Sequence, residues 1–145
     1  LVKRSTVLKN VLAGRVGYHS TLRTTLGLFP KDDVELAFQA LRRVNILEKA
    51  YARADELSGG QQQRVAIARA LSMEPTILLA DEPTGNIATN QAGEIMAVFQ
   101  KLNQGGHTIV MITHEDDVAQ YANRIIVIRD GKIIEDKLNK KHKKL

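Results

Sequence analysis

Apolar residues recur with helical spacing along the first 56 residues, which predicts an all-helical segment there. Residues 6–13 form one candidate helix, with Ser5 or Thr6 as its cap. A second helix is predicted with Asp32 or Asp33 as its cap, and its apolar positions are three or four residues apart: Val34, Ala37, Phe38 and Leu41. Shorter helical pieces are predicted at two more places, residues 22–28 and 45–52.

Beyond Leu57 the pattern changes to short apolar runs that alternate with helices. Strands are predicted where these runs occur, at residues 77–80, 108–112 and 124–128. Helices are predicted before and between the runs, at residues 61–73, 90–104 and 116–122. The first two runs contain almost no polar residue, which indicates strands covered on both faces. This alternation predicts an α/β fold with a parallel sheet, followed by a hairpin at Asp130 and Gly131.

Composition excludes several classes of protein. The chain has 145 residues, enough for one domain with a core. It has no cysteine, which excludes a disulfide framework and a thiolate metal site. No apolar run approaches the roughly 20 residues that a membrane-spanning helix needs. No signal peptide is recognisable at the start. Because the first residue is Leu1 and not methionine, we expect that the true start of the gene product lies upstream or was removed.

The net charge of +5 originates in the last nine residues. Five of the 21 basic residues lie there: Lys137, Lys140, Lys141, Lys143 and Lys144. The other 16 basic residues balance the 16 acidic residues. This composition predicts a solvated, disordered tail. The alternative is a tail that binds anionic lipid or nucleic acid. No aromatic side chain lies among the lysines to stack on bases, so nucleic acid is not expected as a partner.

A serine and two glycines lie directly before the helix predicted at residues 61–73. Gly59 and Gly60 let a ligand approach the backbone closely, and Ser58 adds a hydroxyl group. The helix that follows directs its free N–H groups and the positive end of its dipole at the same point. This arrangement suits a phosphate group, although an ordinary helix cap without a ligand is an equally weighted alternative.

Three polar side chains follow two of the predicted strands. Asp81 and Glu82 come after residues 77–80, and His114 comes after residues 108–112. Ligands of α/β sheets bind at the carboxyl ends of the strands. Adjacent carboxylates repel unless a cation or a proton relieves them, so Asp81 is a candidate Mg²⁺ ligand and Glu82 a candidate group for polarising water. The alternatives are a solvated acidic turn and a structural histidine.

Together, three stretches resemble the ATP-binding-cassette (ABC) ATPases. Residues 57–61 (LSGGQ) match the signature of that family, residues 77–84 (ILLADEPT) its Walker B segment, and residues 113–115 (THE) its switch-histidine region. The resemblance extends to about Asp136. It divides the chain into three parts: a helical subdomain at 1–56, part of the ATPase core at 57–136 and the basic tail at 137–145.

In that family, two nucleotide-binding domains enclose two ATP molecules head to tail. The resemblance implies that four signature residues bind ATP held mainly by the partner chain: Ser58, Gly59, Gly60 and Gln61. It also implies that Asp81 supports Mg²⁺, that Glu82 acts on the attacking water and that His114 contacts the γ-phosphate. The helical subdomain would dock on transmembrane permease subunits, which places the protein on the cytoplasmic face of the cell membrane.

The chain departs from the family pattern at two points. The phosphate-binding loop G-x-x-x-x-G-K-[ST] is absent, since the only Gly-Lys pair, Gly131-Lys132, precedes Ile133 in the predicted hairpin. The first strands of the family are absent too, which predicts a partial P-loop NTPase sheet with exposed apolar surface. We therefore expect association, or pairing with an N-terminal half or its equivalent. Ala88 also replaces the aspartate that helps to link the two active sites in the family.

Resemblance to particular transporters differs along the chain. Residues 10–33 are similar to ATPases of phosphonate importers, whereas residues 83–86 and 108–122 are more similar to those of lipoprotein-release and macrolide-export systems. The change falls in residues 58–71, which motivates the hypothesis of a recombined gene. We expect a fragment of a phosphonate-import ATPase that is inactive in isolation. The alternatives are a non-catalytic module that binds a partner cassette or transmembrane subunit, and a cassette protein acting on nucleic acid.

Overall fold

Helices occupy the first part of the chain, and strands occur only beyond residue 76 in the parts that the structure describes. The structure is a computed structural model, and it describes residues 1–18, 27–85, 87–140 and 142–143. The helices are α1 (Val7–Leu12), α2 (Lys31–Arg43), α3 (Gly59–Leu71), α4 (Thr89–Gln104) and α5 (Asp116–Ala119). The strands are β1 (Ile77–Asp81), β2 (Thr108–Ile112), β3 (Arg124–Arg129) and β4 (Lys132–Leu138). Short 3-10 helices lie at Ala13–Tyr18, Leu47–Lys49 and Ala54–Glu56.

Local sequence accounts for where the first helices begin. The hydroxyl of Thr6 caps α1 by accepting a hydrogen bond from the Lys9 N–H at 3.3 Å, as predicted. The prediction that Asp32 or Asp33 caps α2 is wrong, because the helix begins earlier, with Pro30 at its cap position. The two aspartates lie in the first turn instead, where negative charge is favourable to the helix dipole. The helix predicted at residues 22–28 lies largely outside the described residues.

The core lies around α3, which packs against α1, α2 and α4. Fully buried aliphatic side chains from these four helices meet there: Val7, Val11, Leu41, Val65 and Ile95. Each contributes about 1.5–3 kcal/mol through its burial. The buried face predicted for α4 is confirmed in full: Ile95, Val98, Phe99 and Leu102. Helix α3, which begins directly after Ser58, is therefore held in place by packing against three other helices.

Strands β1 and β2 pair in parallel, with α4 as the connection between them. Their register aligns Ile77 with Thr108 and Asp81 with Ile112. One face of β1 packs on the core through Leu78, which is 5% exposed, whereas Leu79 on the other face is 81% exposed. The prediction of strands covered on both faces is therefore wrong for β1 and β2, because no described segment covers that second face.

The hairpin β3–β4 forms a separate two-stranded antiparallel sheet. Its turn is as predicted, since Asp130 and Gly131 both have positive φ angles, 48° and 72°. The prediction that residues 124–128 join the parallel sheet is wrong, because within the described chain β3 pairs only with β4. No described helix is both long and apolar enough to cross a bilayer.

The described part of the basic tail contacts the rest of the chain. Lys137 lies in β4, and Lys143 packs on the segment of α5. The Lys143 Nζ atom is 2.8 Å from Asp117 Oδ1, and its backbone N–H donates to the Gln120 carbonyl at 2.9 Å. The acidic first turn of α5 therefore pairs with Lys143, which was predicted from the sequence to be solvated.

We predict that the uncovered face of β1–β2 drives self-association of the isolated chain. Changing Leu79→Lys should weaken association about tenfold or more, because burying a leucine contributes about 1.5–3 kcal/mol. Sedimentation equilibrium over a concentration series measures this directly. Val2→Lys, at an exposed aliphatic residue outside the strands, is the control and should leave the association constant unchanged. A wild-type chain that remains monomeric at high concentration would contradict the prediction.

Candidate functional site

Parallel pairing of β1 and β2 brings Glu82 beside His114. The ladder continues one residue beyond β1, because the Glu82 N–H donates to the Ile112 carbonyl at 2.9 Å. His114 lies two residues past that carbonyl. The carboxylate and the imidazole predicted at this edge of the sheet are therefore in direct contact, with 2.7 Å between Glu82 Oε1 and His114 Nδ1.

Glu82 has a left-handed backbone conformation, with φ at 43°. For a residue other than glycine this costs on the order of 1–3 kcal/mol. The surrounding hydrogen bonds hold it there, since its N–H donates to Ile112 and its carbonyl accepts from the Gly85 N–H at 3.2 Å. The chain therefore turns sharply after Asp81, and this turn directs the Glu82 side chain toward the end of β2.

The Glu82 carboxylate accepts three hydrogen bonds from the end of β2. Its Oε1 atom accepts from the His114 N–H at 3.1 Å and faces Nδ1 of the same residue. Its Oε2 atom accepts only a long bond of 3.5 Å from the Thr113 hydroxyl. The side chain is 34% exposed. Oε2 is therefore the oxygen with capacity left for a water molecule.

The contact with Glu82 fixes which ring nitrogen of His114 carries a proton. Because an ionised carboxylate only accepts hydrogen bonds, Nδ1 is the donor and Nε2 is left for another partner. The His114 side chain is 81% exposed, so that partner can come from solvent. The hydrogen bond with Glu82, followed by the charge of Glu82, raises the pKa of His114, and the charge of Glu115 adds to the rise.

Asp81 lies at the exposed end of β1. None of the residues that the structure describes forms a hydrogen bond or an ion pair with its side chain. Nor do the described residues contain a group of three or more side chains able to hold a metal ion together. Mg²⁺ is commonly bound through one or two carboxylates with waters and substrate phosphates. A single free carboxylate at this position fits that mode of binding.

The serine and glycines that precede the predicted helix form its first turn. Ser58 is the cap residue, and Gly59 and Gly60 are the first two helical residues. The prediction that the helix begins only at residue 61, after the two glycines, is therefore wrong. The Ser58 hydroxyl accepts from the Gln61 N–H at 3.3 Å, and the Gln61 side chain accepts from the Ser58 N–H at 3.0 Å. Gln61 was predicted to bind nucleotide, but this capping box engages its carboxamide oxygen.

Gly60 packs closely against the Gln91 side chain of α4. A Cβ atom at this position would lie 2.8 Å from the Gln91 side-chain oxygen, which also accepts the Gly60 N–H at 3.2 Å. The donors of this turn without an acceptor among the described residues include the Gly59 N–H and the Ser58 hydroxyl, which are left for an anion. No hydrogen bond or ion pair between described residues joins this turn to the Glu82–His114 pair.

Sequence reasoning gave no role to Thr84 and Glu115, although both lie in the motifs that it singled out. The Thr84 hydroxyl donates to Glu115 Oε1 at 3.0 Å, and Thr84 is 4% exposed. Thr84 lies two residues after Glu82, and Glu115 lies one residue after His114. These positions are the only sequence signal that could have suggested the contact. Ala88, which replaces an aspartate of the family pattern, begins α4 without a side-chain cap.

Comparison with known proteins identifies the family. A family model described as "ABC transporter" matches residues 1–85. "Phosphonates import ATP-binding protein PhnC" of Bacillus anthracis is 64% identical over 140 residues, which are 95% of this chain and 54% of that protein. The protein of the same name from Shouchella clausii is 59% identical over 138 residues, covering 94% of this chain and 52% of the relative. The chain thus spans about half the length of the curated relatives it matches.

Solved structures agree with these relatives. The ADP conformation of MJ1267, an ATP-binding cassette of an ABC transporter, superposes with a TM-score of 0.85 at 30% identity. That match covers 97% of this chain and 58% of the other. The dimeric structure of MJ0796, a bacterial ABC transporter cassette, gives a TM-score of 0.74 at 34% identity over 97% of this chain and 59% of the other.

The match to the phosphonate-import relatives runs through both parts of the chain, including residues 58–71. A recombined gene is therefore not needed to explain the sequence. The α/β fold with a parallel strand pair agrees with the solved structures, and the residues that the family model matches include the stretches at 57–61 and 77–84. This chain belongs to the ABC transporter family and forms part of an ATPase cassette with the P-loop NTPase fold.

Proposed function

We propose that this chain is the hydrolysis side of an ATPase subunit that powers phosphonate import. The contact between Glu82 and His114, beside the free carboxylate of Asp81, carries the proposal. It places a hydrogen-bond acceptor for water, a proton-bearing ring and a candidate metal ligand at the ends of two adjacent strands. Those are the groups that transfer of a phosphoryl group to water needs on its reacting side.

In this proposal Glu82 orients and polarises the attacking water through Oε2, the less engaged of its two oxygens. His114 keeps its Nδ1 proton on Glu82 and turns Nε2 toward the γ-phosphate, where a proton on that nitrogen would stabilise developing negative charge. Asp81 would hold Mg²⁺ through water. When bound, the ion neutralises charge on the phosphate oxygens.

The signature turn would serve a second cassette. Two of its free donors, the Gly59 N–H and the Ser58 hydroxyl, lie at the exposed N-terminus of α3 and are not joined to the Glu82–His114 pair. A helix N-terminus of this kind suits a phosphate group. The separation supports a head-to-tail pair of cassettes, in which this turn contacts ATP bound mainly by the partner.

Phosphonate as the transported substrate is supported by the relatives. Five Bacillus proteins named as phosphonate-import ATP-binding proteins are 64% or 65% identical over 140 residues. At this identity we infer the same transport system, with the helical residues 1–56 docked on permease subunits at the inner face of the cell membrane.

A second candidate is a module that binds a partner without turning over ATP. The phosphate-binding loop is absent from these 145 residues, and the only Gly-Lys pair lies in the β3–β4 turn. That loop supplies the backbone cradle and the lysine for the β- and γ-phosphates. We therefore expect no turnover by the isolated chain, and turnover only together with the loop or a partner that supplies it.

We predict that Glu82→Gln lowers kcat for ATP hydrolysis about 10²–10⁴-fold in the natural protein that carries this sequence. The amide keeps the shape of the side chain but does not accept a proton from water. KM for ATP should change little, because Glu82 acts on the water and not on the nucleotide. A steady-state phosphate-release assay measures both constants.

Glu135→Gln is the matched control, since Glu135 lies exposed on β4 and pairs only with the neighbouring Lys137. Its kcat should equal that of the wild type. Retention of kcat within about twofold in Glu82→Gln would exclude Glu82 as the group that activates water.

We predict that His114 titrates above its ordinary pKa of about 6.5 because of its bond to Glu82. The protonated ring binds the carboxylate more strongly, so this stabilisation is complete below about pH 6.5 and is lost as pH rises through the higher folded pKa. Proton NMR of the imidazole should show the raised pKa, and Glu82→Gln should return it toward the ordinary value. An unchanged titration in that variant would contradict the assigned contact.

A further inference from the structure

Thr84 and Glu115 form a side-chain contact between the two loops that end β1 and β2. The Thr84 hydroxyl donates to Glu115 Oε1 at 3.0 Å. Thr84 is buried, and Glu115 is its only hydrogen-bond partner among the described side chains. A buried hydroxyl without a partner costs about 1–3 kcal/mol, so this hydroxyl holds the Glu115 carboxylate in one place.

Both loops are also built tightly around the reacting carboxylate. The Glu115 N–H donates to the Thr113 hydroxyl at 3.1 Å, and that hydroxyl in turn donates to Glu82 Oε2. On the other loop, the Glu82 carbonyl accepts from Gly85, and the Thr84 carbonyl accepts from the Ile87 N–H at 3.1 Å. Holding Thr84 and Glu115 together therefore fixes the positions of Glu82 and Thr113 as well.

We infer that Thr84 and Glu115 are positioning residues that keep Glu82 aimed at the attacking water during hydrolysis. The inference rests on the proposed function of Glu82 and goes beyond it. We name the pair the loop clip. It acts through the two loops that carry Glu82 and His114.

The geometry shows why a clip is needed besides the Glu82–His114 contact. Both bonds from His114, from its Nδ1 atom and from its backbone N–H, go to Oε1 of Glu82. Oε2, the oxygen proposed to act on water, is held to the opposite loop only by the 3.5 Å bond from Thr113, which is weak. The shorter bond between Thr84 and Glu115 involves neither Glu82 nor His114, so it joins the two loops independently of their contact.

The test compares substitutions of the same threonine in the natural protein. Thr84→Val keeps the shape but removes the hydroxyl, whereas Thr84→Ser keeps the hydroxyl. Thr108→Val, at the exposed first residue of β2, is the control for the chemical change. We expect Thr84→Val to lower kcat about 10- to 100-fold with KM for ATP within about twofold of the wild type, since small misplacements of reacting groups have effects of this size. Thr84→Ser should recover most of the loss.

Glu115→Ala provides a second variant at a half-exposed position, in case Thr84→Val does not fold. It removes the acceptor and should lower kcat to a similar extent. Combining it with Thr84→Val should then lower kcat no further than either single change, because both remove one contact. Additive losses, an unchanged kcat in both single variants, or no recovery by Thr84→Ser would each overturn the inference.

The same data separate this inference from the proposed function. If the wild-type protein does not hydrolyse ATP, the proposed function fails. Suppose instead that the wild-type protein hydrolyses ATP and that Glu82→Gln abolishes this turnover. If Thr84→Val and Glu115→Ala then keep turnover, only the inference about the loop clip fails.

Discussion

The parallel pairing of β1 with β2 is the constraint on which the site depends. Only a parallel register places the ends of both strands at one edge, and here it aligns Asp81 with Ile112. The residues that follow, Glu82 and His114, are then close enough for a 2.7 Å hydrogen bond. A shift of the register by one residue would direct these side chains to opposite faces of the sheet and separate the pair.

Helix α3 is the centre of the helical core. It begins at the signature turn, packs against α1, α2 and α4, and keeps Val65 fully buried at its centre. Its first turn packs against a neighbouring helix, because Gly60 faces Gln91 of α4. The position of the signature turn is therefore set by helix packing, and the position of Glu82 is set by strand pairing.

Sequence patterns predicted the parts of this molecule that depend on local chemistry. The spacing of apolar residues located α4 and its buried face, and Asp130 with Gly131 located the hairpin turn. The same patterns failed where distant segments decide the outcome. An apolar run does not reveal how many of its faces are covered, and the exposed Leu79 agrees instead with the exposed apolar surface that the missing first strands predicted. The bond between Thr84 and Glu115 joins residues 31 positions apart, and only the folded register brings them together.

The most direct test is a calorimetric titration of Mg-ATP into the purified 145-residue chain. In the proposed function the chain supplies the groups that act on the γ-phosphate and on water, but not the loop that cradles the phosphates. No heat of binding is therefore expected at nucleotide concentrations up to about 1 mM. Binding with a dissociation constant of about 1 μM that is lost in Asp81→Asn or Ser58→Arg would contradict this division, because it would mean that these residues hold nucleotide without the loop.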